Sequence, residues 1–501
     1  MMRRVVRPIS FALMGLALVF VPGAASAGTA TLAPLVLVSG ASPYAGCTVG
    51  AGTGTIFVNA EVEPQIAADP TNPKHFVGAF QQDRWSNGGA HGLVSAASFD
   101  GGKTWTETTL PFSRCAPGGL DFERASDPWV SIGPDGVVYA NAISFDRTSN
   151  RNAVATVRST DGGKTWTNLV VLVDFETNGG QFSTDKNSVT ADPVHPGVAY
   201  AVWDTLTAPT DNPDDNPHAA AYTGPTFFSM TTDGGVTWST PRIILNTSNR
   251  QQTIGNVIQV DPRTDTLYDF ADLIQPPNSG SVTANSTQGF NVAFIKSTDG
   301  GATWSAPRIV SAIVNPTVTD PNTGQLVRTG DIIPESAIDP HTGQLYTVWQ
   351  DSRFTSNPSL KKGVVQVAFS TSSDGGERWS APSPISTPSG QPAFTASVNV
   401  NSSGVVGVTY YDFRNLQAGN TTTLPTDYWF ISSADNGASF GNEVHLAGSF
   451  DMLTAPFARG FFVGDYEGLA AAGTTFRPLF VLANSGNTAN RTDVFATSVA
   501  P

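Results

Sequence analysis

Four arginines follow an aspartate in one recurring pattern: Asp83-Arg84, Asp146-Arg147, Asp351 with Arg353, and Asp412 with Arg414. The chain holds only 27 Lys and Arg among 501 residues, so four guanidiniums in one repeated setting are a signal. Gathered in a water-restricted cup, they suit an anionic ligand, most simply a carboxylate gripped at two points. The other reading is local: each Arg pairs with its neighbouring Asp and ties adjacent units together. A second set recurs elsewhere in the repeat: Glu63, Asp127, Asp185, Glu335 and Asp465-Tyr466, with Arg459 just before the last. These acids and the phenol could move protons on a bound ligand if the fold delivers them to one place.

A repeat would deliver them. The motif SFDGGKTW from Ser98 returns as STDGGKTW from Ser159, TTDGGVTW from Thr231, STDGGATW from Ser297, SSDGGERW from Ser372 and SADNGASF from Ser433. Its aspartates are Asp100, Asp161, Asp233, Asp299, Asp374 and Asp435, at a mean spacing of about 67 residues, the mark of repeated supersecondary units. Each Asp can accept bonds from the following N–H groups, the glycines allow positive φ, and the Trp offers an apolar plate to a neighbouring unit. These aspartates therefore read as structural turns. Between them lie apolar hairpins at 65–83, 127–146, 187–204, 256–272, 335–351 and 397–412, with another at 466–484. Alternating Val, Ile, Tyr and Trp bounded by Gly, Pro, Asn and Asp reads as strands. The expected fold is all-β: a seven-bladed β-propeller of four-stranded blades, each hairpin followed by a third strand, an Asp-turn and a fourth. The last blade lacks an Asp-turn, and a strand at 56–60 is expected to complete it. A six-bladed ring with an extra hairpin is the alternative. Segments 207–217, 275–286 and 315–330 read as surface loops. With strands alternating in direction, the Asp-turns fall at one end of the ring. The starts of the first strands and the ends of the second fall at the other, near the axis.

Composition bounds the partners. Charged residues are 14%, against about 25% in ordinary domains, and the net charge is −14, which argues against nucleic acid. Arg3, Arg4 and Arg7, the apolar run 10–21 and Ala25-Ser26-Ala27 read as a signal peptide at 1–27. The alternative is an uncleaved anchor, although the run is shorter than the ~20 residues a span requires. Residues 28–501 then form a single secreted domain, expected to be monomeric and without a membrane span. Cys47 and Cys115 are expected to form a disulfide, with two free thiols as the alternative. No Cys/His spacing suggests zinc, and no cofactor is expected. Asp211, Asp214 and Asp215 could take a structural calcium or form a solvated acidic loop.

The S-x-D-x-G-x-T-W turns resemble the Asp-boxes, or BNR repeats, of the sialidase superfamily over nearly the whole of 28–501. The resemblance implies a Tyr nucleophile paired with a Glu, three arginines on a substrate carboxylate, and an Asp acid/base. A phenol suits an anomeric carbon that bears a carboxylate, since a neutral nucleophile is not repelled. Glu335-Ser336-Ala337 and Arg353 match the family's Glu and second Arg. Arg414 matches the third Arg, and Gly464-Asp465-Tyr466-Glu467-Gly468-Leu469 matches the Tyr setting. The first blade departs: Val62-Glu63-Pro64 stands where the family has Arg-Ile-Pro, and the loop from Trp85 to His91 has no Asp. Asp83 or His91 would then be the acid/base, and Arg84, Arg147 or Arg459 the missing Arg.

Three functions are expected from these features. The first is a secreted sialidase-like hydrolase of an acidic sugar, using Tyr466, Glu335, Asp83, Arg353 and Arg414. The second is a non-catalytic propeller that binds an acidic glycan or a protein. The third is a lyase on uronate polymers with Tyr466 or His91 as base.

Overall fold

The computed structural model describes residues 30–149, 151–175, 183–206, 223–248, 250–275, 289–354, 363–441 and 443–501. Segment 1–27 and the trio Asp211, Asp214 and Asp215 lie outside the described residues. Among those described, the chain is all-β, with one 3-10 turn at Met452–Thr454. The alternating strands build antiparallel units of four strands in chain order, the first two joined by the pairing of Ala90 with Ala125 and the fourth carrying an added parallel strand at Thr223–Gly224. The first holds Val62–Asp69, Asn72–Trp85, Ala90–Ser98 and Thr106–Leu110, and the second begins with Arg124–Ile132. The third begins with Ser183–Ala191, the fourth with Gln251–Asp261, the fifth with Glu335–Ile338 and the sixth with Ala393–Val400. The last sheet holds Gly468–Ala472, Thr475–Ala483 and Thr492–Ala496.

The first strands of these sheets lie side by side, and Gly468–Ala472 packs against Val62–Asp69. Side chains on one first strand bond to backbone carbonyls of the next. Ser188 Oγ donates to Asn256 O at 2.7 Å, Thr190 Oγ1 to Ile258 O at 2.9 Å, Gln259 Nε2 to Ser336 O at 2.9 Å and Asn399 Nδ2 to Leu469 O at 2.8 Å. These strands line a cavity of about 310 Å³.

Six turns share one geometry. In the third, Thr231 Oγ1 donates to Asp233 Oδ1 at 2.8 Å, Thr237 N to Asp233 Oδ1 at 2.9 Å, Thr237 Oγ1 to Asp233 Oδ2 at 2.6 Å, and Gly235 N to Thr231 Oγ1 at 2.9 Å. Ser98/Asp100, Ser159/Asp161, Ser297/Asp299, Ser372/Asp374 and Ser433/Asp435 repeat the first of these bonds at 2.7–3.0 Å. The aromatic closing each turn docks backwards, on the preceding sheet. Trp166 Nε1 donates to Ser95 Oγ at 2.8 Å, and Trp238 meets Tyr139 edge-on. Trp304 meets Phe228, Trp379 meets Phe270 and Phe294, and Phe440 meets Phe369 at 4.9 Å between centroids. Trp105 packs into the core that contains Phe476 of the last sheet. The glycine two residues after the turn's Asp permits this approach. A Cβ on Gly376 would stand 2.3 Å from Phe294, and one on Gly437 2.4 Å from Phe369, both at positive φ.

Two expectations are corrected. The strand completing the last sheet is Val36–Leu37, paired with Ala496 and Phe495, and of the segment at 56–60 only Ala60 reaches that sheet, in a single parallel bridge to Thr492. Ile56–Phe57 pairs with Trp85 and Arg84 of the first sheet instead. The reason is the path between them. Tyr44 donates its hydroxyl to Leu93 O at 2.6 Å, and Cys47 is disulfide-bonded to Cys115, so the chain is already tied to the first sheet before residue 56. Nor is 315–330 a plain surface loop. Val318–Thr319 and Leu326–Arg328 form a hairpin whose second strand pairs in parallel with Phe461–Phe462, and Val318, Asp320 and Val327 are buried.

The disulfide fastens the segment that supplies the closing strand. Its reduction should lower the unfolding free energy by about 4 kcal/mol, the loop-closure value for a link across 68 residues. Urea unfolding with and without dithiothreitol measures this. A change below about 1 kcal/mol would show that the segment holds without the bond.

Candidate functional site

Residues at the starts of the first strands are turned toward the axis by bulges. Glu63, Asp127, Lys186 and Thr395 have φ of 54°, 52°, 40° and 48°, each at a register shift in its strand pair. Gly255 has φ 73° at the corresponding shift in the fourth sheet. Bulges commonly re-aim side chains in this way beside functional sites. Positive φ in non-glycine residues costs on the order of 1 kcal/mol each and persists only where the surroundings hold it.

The re-aimed groups form a buried ionic cluster. Lys186 Nζ lies 3.0 Å from Asp465 Oδ2 and 3.3 Å from both Glu63 Oε1 and Asp127 Oδ2. Arg328 grips Asp465 at two points, with Nε donating to Oδ1 at 3.0 Å and Nη2 donating to Oδ2. Arg84 Nη1 donates to Gln81 Oε1 at 2.5 Å and stands 3.9 Å from Glu63 Oε2, while Gln81 Nε2 donates to Glu63 and to Ser126 Oγ. The Arg84 and Arg328 guanidiniums both lie on the Phe462 ring.

Burial and these charges pull the acids apart. Burial raises Asp465, but Arg328 and Lys186 outweigh it and hold its carboxyl far below the ordinary range. Burial opposes the charge on Lys186 as well, yet Asp127, Asp465 and Glu63 keep it firmly protonated. Burial pushes Glu63 up to about 8 and raises Asp127, with Lys186 countering both only in part. Burial, then the neighbouring Arg328, brings Arg84 down to about 10. Glu335 is half-buried on the wall of the axial cavity, and burial pushes it up to about 8.

Tyr466 is 4% exposed. Its ring lies 5.4 Å from that of Trp129, and Lys186 Nζ lies 5.4 Å from its centroid. Its hydroxyl donates to Pro128 O at 3.5 Å, not to Glu335. Tyr466, Glu335, Lys186 and Ile333 border a pocket of about 10 Å³, room for one water. Burial, then Glu63, Asp127, Asp465 and Glu335, push the phenol well above its ordinary value.

The structure therefore brings Tyr466 and Glu335 to one pocket with Lys186, and links Arg84 and Arg328 to them through Glu63 and Asp465. It does not bring Arg353 and Arg414 to them. Arg353 holds Asp351 at 2.9 and 2.7 Å and also donates to Ala312 O, tying the fifth sheet to the fourth. Arg414 holds Asp412 and Glu443 and lies 3.7 Å over Trp429. The local reading of the Asp-Arg pattern is the one these two follow. Asp83 is turned to the N-terminal segment, accepting from Ser42 Oγ at 2.8 Å and Asn59 N at 2.9 Å and lying 3.2 Å from His91 Nδ1. Arg147 donates its backbone N–H to Glu123, and Arg459 is exposed at φ 65°. Two cations went unread in the sequence. Lys186 follows Asp185 at a strand start, a position that could have been read. Arg328 sits in the inserted hairpin, whose Asp320-Pro321-Asn322-Thr323-Gly324-Gln325 turn repeats at Asp339-Pro340-His341-Thr342-Gly343-Gln344.

The sheets, their shared turns and the cavity between the first strands make this an all-β fold. No family model matches it. A stretch of 177 residues, 34% of the chain, is 31% identical to the xyloglucanase Xgh74A of Acetivibrio thermocellus, and the chain spans 19% of that protein's length. Similar solved structures include a protein of unknown function from Dyadobacter fermentans, at 13% identity over 89% of this chain and 97% of that one with a TM-score of 0.43. The α-L-arabinofuranosidase Arb93A of Fusarium graminearum is 14% identical over 72% and 93%, with a TM-score of 0.44. The intramolecular trans-sialidase of Ruminococcus gnavus is 14% identical over 89% and 95%, with a TM-score of 0.41.

Removing one member of the cluster leaves buried charge unpaired. Lys186→Met should destabilise the protein by about 3 kcal/mol or more in urea unfolding, and a loss below about 1 kcal/mol would show that the cluster is solvated. The pH dependence is set by two opposed groups. Asp161, Asp233, Asp299 and Asp374 are held near 2: in Asp161 burial opposes this most and the turn hydrogen bonds together outweigh it, and in the other three the turn hydrogen bonds lead and burial is the lesser, opposing effect. Their contribution is present above roughly pH 4 and is lost as pH falls through 2. Glu63 and Glu335, raised to about 8, keep protons that the unfolded chain releases. Their contribution is full below roughly pH 4 and is lost as pH rises toward 8. Thermal unfolding should therefore peak at about pH 4 to 5, and a maximum above pH 7 would contradict these assignments.

Proposed function

We propose that this chain is an exported glycoside hydrolase-like protein whose sheets close as seven blades around the axial cavity, with Glu335 as its proton donor. Closure is supported by the packing of the last first-strand against the first and by the side-chain bonds between first strands. Export is supported by the apparent leader and by the disulfide. The observation that carries the activity is a pair of carboxyl groups driven apart. Glu335 keeps its proton at neutral pH on the cavity wall, while Asp465 stays ionised next to Tyr466. Such a division suits glycosidic cleavage. Glu335 gives its proton to the departing glycosidic oxygen as the C–O bond breaks, and a water that loses its proton to the resulting Glu335 carboxylate forms the new bond to the sugar carbon. Tyr466 and Trp129 supply aromatic wall. Arg353 and Arg414 already hold carboxylates of the chain, so the substrate that fits is a glycan with no obligatory carboxylate.

A second reading, a glycan-binding propeller without turnover, is favoured by one observation: the pocket between Tyr466 and Glu335 is about 10 Å³, too small for a sugar ring.

Hydrolysis of a panel of aryl glycosides and plant and animal glycans tests the first reading. Wild-type turnover should fall as pH rises through about 8, and Glu335→Gln should reduce it by roughly 10²–10⁴-fold. Unchanged turnover in Glu335→Gln rejects Glu335 as the donor. Binding measured by calorimetry without product supports the second reading.

A further inference from the structure

Residues 315–334 cross from the fourth sheet to the fifth by way of distant parts of the molecule. At the hairpin tip, Asn322 Nδ2 donates to Gln417 O at 2.9 Å and Asn420 O at 2.8 Å in the sixth sheet's loop. Val327 and Arg328 pair with Phe461 and Phe462. Arg328 then grips Asp465, Thr395 Oγ1 donates to Thr329 O at 3.2 Å, and Gln350 Nε2 donates to Thr329 Oγ1 at 2.9 Å. The next residue is Gly330, at φ 62°, where a Cβ would stand 2.2 Å from Asp465 O. The segment is thus pressed against the residue preceding Tyr466. It ends at Ile333, which shares the water-sized pocket with Tyr466 and Glu335 and whose Cγ2 would lie 2.8 Å from a Cβ on Gly255.

We propose that this strap sets what reaches the axial site, with Ile333 as its size-determining residue and Arg328 as the positioning residue that clasps it to Asp465. Ile333 fills the space beside Glu335 where a sugar ring would need to stand. Apart from buried Val318, Val327 and Pro334 and the stacking of Arg328 on Phe462, the strap is held by hydrogen bonds and one ion pair. Such attachments open more readily than a packed core. A sugar therefore gains Glu335 and Tyr466 only when the strap lifts or Ile333 turns aside. This rests on the reading of Glu335 and Tyr466 as the site, but its test does not use turnover.

Hydroxyl-radical footprinting read by mass spectrometry at Tyr466 and Trp129 reports their access to solvent whatever the activity. Trp203, fully buried in the third sheet, is the internal reference. Ile333→Ala and Arg328→Gln should each raise oxidation at Tyr466 and Trp129 several-fold, with Trp203 unchanged, and Arg328→Lys, which keeps the charge and loses the two-point grip, should give a smaller rise. Unchanged oxidation at Tyr466 in both Ile333→Ala and Arg328→Gln overturns the proposal. An equal rise at Trp203 also overturns it, because the strap would then be a fold element and not a cover. Absent turnover with the expected footprint would reject the hydrolase reading and leave the strap's role standing.

Discussion

Each Asp-box turn is built so that its closing aromatic can lie on the sheet before it, and the rest of the architecture depends on that contact. The Asp carboxylate collects the turn's own N–H and hydroxyl donors, so the turn is rigid without outside help. The glycine two residues after the Asp then brings the backbone against an aromatic of the preceding sheet, as at Gly376 on Phe294 and Gly437 on Phe369. Trp or Phe seals the gap. Since every turn reaches backwards, each sheet is fixed by its successor, and Trp105 of the first turn reaches the core of the last sheet.

The opposite end of the sheets obeys a different rule. There the first strands begin with bulges, and their side chains converge. Three acids meet three bases, with Glu63, Asp127 and Asp465 facing Lys186, Arg84 and Arg328, and burial keeps Glu63 protonated at neutral pH. The three acids nevertheless behave differently, because Asp465 alone receives both Arg328 and Lys186 at close range. Glu335 stands outside this exchange and keeps its proton by burial. One region thus contains a carboxylate and a carboxylic acid at the same pH, the division that acid–base chemistry requires.

The turns were fully legible because their chemistry is local: Ser98, Asp100, Gly102 and Trp105 declare it within eight residues. The Asp-Arg pattern was legible too, but its two readings differ only in where the guanidinium points. Arg353 and Arg414 turn to their neighbours, whereas Arg84 turns inward. The closing strand was misplaced because two residues, Val36 and Leu37, carry no alternation to read, while the apolar stretch from Ile56 does. Lys186 and Arg328 depend on a bulge and on an inserted hairpin, features that lie outside the repeat and so escape a reading based on it.

The two ends of the described chain share one sheet: Thr31 pairs with Ala500 and Leu32 with Val499, beside the Val36–Leu37 edge. Tension applied between the termini would load these short pairings in sequence, like a zip. Peeling from the N-terminal side would stop at Cys47, where the covalent link to Cys115 transfers the force to the first sheet. The segment between Thr31 and that link is fewer than twenty residues long and lies ahead of any group in the ionic cluster.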